Sequence, residues 1–331
     1  MKAAVNTSYG PAEAVTLTDL PTPAPGPKEV LIRVRASSLT TADWRLRASA
    51  FPRLMWLPGR LMFGLFRPRD TVRGSDIAGE VVAVGHAVTR FSPGDRIFGN
   101  IGQGGHAEYA LASEDATLLH TPDSLDDASA AALPFGAIAA LVFLRDVAQV
   151  RPGQNVLIVG GSGGVGAYAV QIARDLGAHV TAVASAANAR LMRELGAERT
   201  IDYRTENVAG SVDRYDLVFD TVGATTLPQM RRALRRNGLF LPLNFTGAEI
   251  WQLLRSKLLG GPRIVLHVNG DSRDDLQWLL DAVTEGRLRP VIDRRFPLDR
   301  IVEAHRHVEG RHRRGAVVID VALPDRVARA A

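Results

Sequence analysis

The stretch from Asn155 to Gly177, NVLIVGGSGGVGAYAVQIARDLG, constrains this chain more than any other. Val156 to Val159 is an apolar run too short for a helix and rich in β-branched residues, so it reads as a buried strand. After a glycine cluster, Val165, Ala169, Ile172, Ala173 and Leu176 fall at helical spacing, and Gly177 stands where a helix-ending glycine would. Inside the cluster Gly161, Gly163 and Gly166 spell G-x-G-x-x-G. Such a loop turns tightly at the first glycine, bares its backbone at the second and lets helix pack on strand at the third. The helix N-terminus then faces an anion with its partial positive charge. His179 to Ala184 supplies the second strand that the motif needs as context. A dinucleotide pyrophosphate is therefore expected over the loop, with Ser162, Gly164 and Val165 beside the three glycines.

The end of that second strand selects between dinucleotides. A carboxylate there, about 20 residues past the first glycine, would accept from an unmodified ribose 2′-hydroxyl. Here the strand ends at Ser185, and no acid stands between His179 and Arg193. Ser185, Asn188, Arg190 and, after the next short strand, Tyr203 are available instead. A hydroxyl, an amide and a guanidinium can all donate to a 2′-phosphate. NADPH (NADP) is expected over NADH.

Composition removes other classes. The chain has no cysteine, which excludes disulfides, a thiolate nucleophile and a Cys-ligated zinc. The first residues, MKAAVNTSYG, hold no apolar signal core, and no run of 18 apolar residues occurs, so a cytoplasmic protein is expected. The net charge of +5 is carried almost wholly by arginine. Its two dense runs, Arg231–Arg236 and Arg311–Arg314, read as helix-end cations and compositional bias, with no nucleic-acid partner implied. His305, His307 and His312 read as solvated surface residues, because His305 and His307 are two apart and share no helix face.

The first 120 residues read as β-rich, Asp126 onward as two helices interrupted at Pro134 and Gly136. From Asn155, strands alternate with helices: Val156–Val159, Val180–Ala184, Thr200–Asp202, Leu217–Asp220, Leu239–Leu243 and Ile264–Val268. That alternation gives an α/β protein with a doubly wound parallel sheet. Helices at Asp271–Glu285 and Leu298–Glu309 and a strand at Ala316–Val321 follow. Ile264–Val268, IVLHV, reads as an apolar, proline-free edge, which pairing with its own copy in a homodimer would cover.

These pieces resemble, nearly end to end, the medium-chain dehydrogenase/reductase superfamily and its zinc-free quinone oxidoreductase-like branch. The resemblance rests on PGPKEVLIRVRASS, GSDIAGEVVAVG, FSPGDRIFG, GGHAEYA, ALPFGAIAA, the glycine motif, LGAERTIDY, DLVFDTVG, GRLRPVID and AHRHVEGRHRRGAVVIDV, in that order. It implies a GroES-like β-barrel domain over residues 1–122, a Rossmann NADP-binding domain over 123–269 and a return to the first domain over 270–331. It also extends the cofactor surface to Val222, Leu243 and Asn244. Aligned by flanking motifs, the zinc-ligand positions of metal-dependent members fall on Thr40, Ser75 and Phe135, a poor ligand set. The branch's Asn-Pro-x-Asp is Thr40-Thr41-Ala42-Asp43 here, and a threonine common in the bridging helix is Ala139. Thr40 and Thr41 are candidate hydroxyl donors or a relay, with helix capping as the competing role; Asp43 and Asp76 are candidate supports. Phe51–Pro68, FPRLMWLPGRLMFGLFRP, falls where the branch forms the lip of the substrate pocket, with Trp56 and Phe63 as candidate contacts. A core helix or an amphipathic surface for membrane or partner are the alternatives, with membrane contact the least expected. The implied activity is hydride transfer from NADPH to a small hydrophobic quinone or α,β-unsaturated carbonyl. An enoyl-thioester reductase, a zinc-free alcohol dehydrogenase and a non-catalytic NADPH-binding sensor or structural protein are the alternatives.

Overall fold

The computed structural model describes residues 1–51, 53–210, 214–268 and 270–321; the side chains of residues 53–55 and 254–259 lie outside that description. The N-terminal part is built from strands. β1 (Lys2–Asn6) and β2 (Val15–Asp19) form an antiparallel ribbon. β3 (Glu29–Leu39) is the central strand of the larger sheet and is followed by helices α1 (Thr41–Ala48) and α2 (Arg53–Phe63). β4 (Asp76–Val84), β5 (Arg96–Asn100), β6 (Tyr109–Ser113) and β7 (Thr117–His120) complete its first half. Helices α3 (Asp127–Ala131) and α4 (Pro134–Leu141) then bridge to the second domain. Proline opens α4 because its missing N–H is one the first turn cannot use. The bridge is the joint of the molecule: one apolar core runs from Ala36, Ala78 and Phe98 of the barrel through Ile138 and Leu141 to Val156 and Ile158.

The second domain is a six-stranded parallel sheet. Its strands are β8 (Asn155–Val159), β9 (His179–Ala184), β10 (Arg199–Asp202), β11 (Tyr215–Asp220), β12 (Leu234–Pro242) and β13 (Arg263–Ile264). The spatial order β10-β9-β8-β11-β12-β13 reverses direction between β8 and β11. Helices α5 (Gly166–Asp175), α6 (Ala189–Glu194), α7 (Leu227–Met230), α8 (Gly247–Leu259) and α9 (Arg273–Thr284) cover it or flank it. β8 shows why the apolar run is continuous: Val156 and Ile158 join the core with α5, while Leu157 and Val159 join a separate core with Leu227 and Met230 on the other face. The chain returns through β14 (Ile292–Pro297), α10 (Ile301–Glu309) and β15 (Ala316–Asp320), and β15 pairs antiparallel with the end of β3, Val317 opposite Leu39.

One strand is shorter than the sequence predicts. Of Ile264–Val268 only Ile264 lies in the sheet, in the two-residue β13. Val265 still donates to the Phe240 carbonyl, and beyond it the His267 ring packs edge-on against Phe143, with centroids 5.5 Å apart, while Val268 is exposed. A side chain turned toward a core aromatic takes the segment off the sheet edge. No helix among the described residues is long and apolar enough to cross a membrane.

Candidate dinucleotide site and interdomain cleft

The glycine loop is shaped by close backbone approaches. Its left-handed turn sits at Gly160, with φ of +79°, one residue before the position that the motif suggests. Gly160 and Gly161 both donate to the Val183 carbonyl, hooking the loop onto β9. A Cβ on Gly166 would lie 2.1 Å from the Gly160 carbonyl oxygen, so α5 starts almost in contact with the strand it follows. A Cβ on Gly161 would meet Ala182 and Met192 at 3.1 Å each. At Gly163 the nearest atom would be the Gly160 oxygen at 3.3 Å, which leaves bare backbone facing outward. This is a cradle that side chains would fill, and it fits a pyrophosphate.

A cavity of about 950 Å³ runs past this loop along the C-terminal ends of β8, β9 and β11, at the point where the strand order reverses. Ser162, Gly163, Ser185, Asn188, Tyr203 and Val222 stand on its wall. Asn188 is buried and its amide donates to the Ser162 hydroxyl at 3.0 Å, so it shapes the loop. Arg190 is not on the wall: its guanidinium is exposed and pairs with Glu194 at 2.8 Å, the i,i+4 neighbour on α6. Arg204, not singled out from the sequence, is on the wall and lies 5.7 Å from the Tyr203 ring centroid. Leu243 and Asn244 follow β12 and are not on this wall, although Asn244 stands next to Gly223, which is; Leu243 donates its N–H to the Asp220 carbonyl. Asp220 shapes the intervening loop, accepting from Val222, Gly223 and Thr225.

The basic run Arg311–Arg314 is a correction to the compositional reading, because all four residues line the cavity. Arg311 donates to the Val222 carbonyl at 3.1 Å, and Gly315 donates to the Ser162 carbonyl at 2.8 Å. Arg313 donates to the Leu39 carbonyl and to the Thr41 hydroxyl at 2.8 Å; its burial lowers its pKa. A sequence signal existed: the run directly precedes the last strand. Pairing of β15 with β3 brings it beside Leu39–Thr41. Of the three histidines, His312 is exposed as expected, and His305 is the correction. His305 is buried, edge-on to His106 at 6.4 Å, and burial pushes its pKa down to about 2. His307 contacts the Asp293 carboxylate at 2.6 Å, and His312 lines the cavity.

On the barrel side of the cleft, Thr40 is the N-cap of α1. Its hydroxyl donates to Asp43 Oδ2 at 2.6 Å and accepts from the Asp43 N–H at 3.2 Å. The Thr40 proton is therefore committed, whereas Thr41 accepts from Arg313 and keeps its own. Asp43 also accepts from the Thr40 and Gly74 N–H groups. Asp76 is fully buried and accepts from Ser38, Ser75, Asn100 and the Phe135 N–H. Desolvation outweighs those donors, and the nearby Asp43 charge adds to it, so its pKa rises to about 7. Thr40 and Ser75 thus spend their hydroxyl protons on carboxylates, and Phe135 offers only a backbone N–H. These groups do not fit a zinc set. No group of three or more potential metal-ligating side chains occurs among the described residues. Ala139 is buried in the bridge. In α2, Trp56 is half-exposed under the Arg60 guanidinium, and Phe63 stacks on Phe51 at 5.9 Å; neither lines the dinucleotide cavity, and residues 52–55 of this segment lie outside the described side chains.

Comparison with known proteins agrees with this architecture. The family model for the alcohol dehydrogenase GroES-like domain matches residues 26–123, and that for zinc-binding dehydrogenases matches residues 195–319. The chain is 31% identical to the chloroplastic quinone oxidoreductase QR1 of Triphysaria versicolor over 97% of this chain and 98% of that one. It is 32% identical to the chloroplastic NADPH-dependent alkenal/one oxidoreductase of Arabidopsis thaliana, over 96% and 79%. The solved quinone oxidoreductase of Coxiella burnetii superposes with a TM-score of 0.85 at 31% identity, covering 97% of this chain and 99% of that one. The fold and cavity are those of a pyridine-nucleotide site, and the chain is an oxidoreductase. Barrel, bridge, glycine loop and returning strand together make it a member of the medium-chain dehydrogenase/reductase superfamily, in its quinone oxidoreductase-like branch.

Proposed function

We propose that the protein is a zinc-independent, NADPH-dependent reductase of quinones or α,β-unsaturated carbonyl compounds. The observation that carries the cofactor choice is the far end of the cavity, where Ser185, Tyr203 and Arg204 share the wall past β9. Two hydroxyls and a guanidinium suit a 2′-phosphate. The acid nearby on that wall, Glu206, has one carboxylate oxygen occupied by the Asp202 N–H. The bare backbone at Gly163 and the cations of Arg311–Arg314 would hold the pyrophosphate. When bound, the reduced nicotinamide supplies a hydride. The chain's own part is to seat the substrate between Asn244 and the start of α1, exclude water and offer donors to a carbonyl oxygen. The names of the relatives support a quinone or an alkenal/one as acceptor, and the hydroxyl-rich set at Thr40 and Ser75 supports chemistry without zinc.

Steady-state assays with quinones, enones, enoyl thioesters and alcohols, each with NADPH or NADP, test the reading. Turnover of a quinone or an enone with NADPH, undiminished by chelators in protein free of stoichiometric zinc, is expected. Saturable NADPH binding with no turnover anywhere would point instead to a non-catalytic nucleotide-binding protein. We also propose a homodimer, but with less of a sheet edge to build on: β13 offers two residues, and so short a strand is itself a protection against edge pairing. Light scattering at micromolar concentration decides it.

A further inference from the structure

Arg45 reaches out of the barrel and bonds to the other domain. Its Nη1 donates to Asn244 Oδ1 at 2.5 Å, and that is the one hydrogen bond its side chain makes among the described residues. Among the described residues no carboxylate forms an ion pair with it or acts on its charge. Burial first, and the neighbouring Arg311 charge second, make its proton harder to hold. The remaining N–H donors of its fork have no protein partner among the described residues and are not among the buried unpartnered atoms, so they are open to a ligand in the cleft.

Helix geometry explains where those donors are. Thr41 and Arg45 are four apart and share the face of α1 turned to the Rossmann domain, meeting Arg313 and Asn244. Asp43 and Arg47, also four apart, are buried on the inner face, with Arg47 paired to Glu309. The end of the cleft is also fixed. Asn244 follows β12, two strands from β8, so it stands about 10 Å across the sheet from the glycine loop, on the side away from Ser185 and β9. Neither Arg45 nor Asn244 lines the dinucleotide cavity. With adenosine toward β9 and pyrophosphate over β8, this is the end where nicotinamide and substrate meet. Thr40 does not serve there, since its proton is held by Asp43.

Resting on the function proposed above, we propose that Arg45 is a catalytic residue that donates to the substrate's carbonyl oxygen and stabilises the negative charge gathering there. Hydride addition to the β-carbon of an enone shifts the carbon–carbon π pair into a new double bond between the α-carbon and the carbonyl carbon, and the carbonyl π pair moves onto the oxygen as an enolate. Water then protonates the α-carbon. The reduced nicotinamide is the hydride source and two-electron reductant. In a quinone the same addition to a ring carbon leaves an enolate, again with its charge on oxygen; protonation of that oxygen and loss of the ring-carbon proton to water then give the hydroquinone. A fixed cation at that oxygen acts most strongly where charge develops.

The test uses full-length protein and the variants R45M, R45K and R45Q. The probe is 4-nitrophenol with saturating NADP, because its phenolate absorbs visibly and mimics the oxyanion. In wild type, bound nitrophenol should ionise at a pH at least one unit lower than in R45M. With NADPH and a simple enone, kcat/KM of R45M should fall about a hundredfold or more, while the Kd for NADPH by fluorescence stays within about twofold. A nitrophenol shift that survives in R45M, or an NADPH Kd that weakens as much as kcat/KM falls, overturns the proposal; the second places Arg45 on the cofactor. If R45M does not fold, R45K and R45Q decide: the shift kept in the first and lost in the second supports it, and any other pattern overturns it. Should wild type reduce neither quinone nor enone, the functional reading falls, yet the nitrophenol titration still decides Arg45.

Discussion

The two walls of the cleft are made from different parts of the chain. The Rossmann wall is backbone: Gly160 turns, Gly163 is bare and Gly166 lets α5 come within contact of the loop. The barrel wall is side chains in fixed pairs: Thr40 with Asp43, Thr41 with Arg313, Arg45 with Asn244 and Asp76 with four donors. A backbone wall admits few residues, so its chemistry is tied to its glycines. A side-chain wall changes role by substitution while the helix that carries it stays in place. That is how Thr40 can stand where the branch commonly has asparagine and still cap α1.

The sharpest way to break this contrast is to place a methyl group on each wall's key position. Gly166→Ala puts a Cβ 2.1 Å from a backbone oxygen, which only movement of the loop relieves. The Kd for NADPH should rise about a hundredfold or more, roughly 2.7 kcal/mol, with a lower Tm. Thr40→Val removes one cap and should cost about 1 kcal/mol of stability, with NADPH affinity within about twofold. Fluorescence titration and thermal melts read both. A Gly166→Ala protein that binds NADPH like wild type would dissolve the contrast.

The barrel wall has a signature of its own in Asp76. Its folded pKa is raised to about 7 from an ordinary carboxylate value, first by burial. Between about pH 4 and 7 the unfolded chain has lost this proton while the folded one keeps it. Stability from this group therefore falls as pH rises, by at most about 1.4 kcal/mol per pH unit. Asp76→Asn removes the titration and also disturbs some of its hydrogen bonds. The difference between variant and wild type should then move in the variant's favour by up to about 2–3 kcal/mol from pH 5 to pH 8. Denaturant unfolding at both pH values checks it; a pH-independent difference would mean that Asp76 stays ionised.

Legibility followed the same division. Strand, loop and helix around Gly161–Gly166 could be read because steric need acts locally and only glycine meets it. Even there the left-handed turn was at Gly160, since the motif fixes spacing and not φ. Of the barrel's polar pairs the Thr40 cap, local in sequence, was among the readings; the others could not be read, because partners such as Arg45 and Asn244 are far apart in sequence and meet only when both domains are built. The place of Arg311–Arg314 on the cavity wall was hidden for the same reason, and Arg190 is the reverse case. Its helix turned it to Glu194 and left the wall to Arg204. His305 looked like surface on spacing alone, but α10 packs that face into the barrel core.

Cofactor choice sharpens the Rossmann side further. Ser185→Asp should turn a preference for NADPH of at least about tenfold, or 1.4 kcal/mol, toward NADH, since a carboxylate repels a 2′-phosphate. Arg204→Ala should erode the preference several-fold and Arg190→Ala should leave it alone, because only Arg204 is on the wall. Paired titrations with NADPH and NADH measure it. Equal affinities in wild type would remove the basis for naming NADPH, and sensitivity to Arg190 alone would overturn the assignment to Arg204.

The smallest effect is expected at the rim. Trp56 is 45% exposed and Arg60 lies 5.4 Å from its ring centroid, while Leu57, Leu61, Met62 and Phe66 nearby are also exposed. A residue so open contributes little to the core, so Trp56→Ala should cost less than about 1 kcal/mol of stability. If α2 receives the apolar body of the substrate, kcat/KM for a large quinone should fall about fivefold while that for a small enone does not change. That loss is about 1 kcal/mol, consistent with partial burial of an aromatic against a ligand. NADPH affinity should stay within about twofold, because the cavity that holds the dinucleotide does not include Trp56. Equal losses for both substrates would assign the effect to folding. No loss for either, together with release from lipid vesicles that wild type binds, would give the helix to a membrane surface and leave the barrel wall with only its polar pairs for recognition.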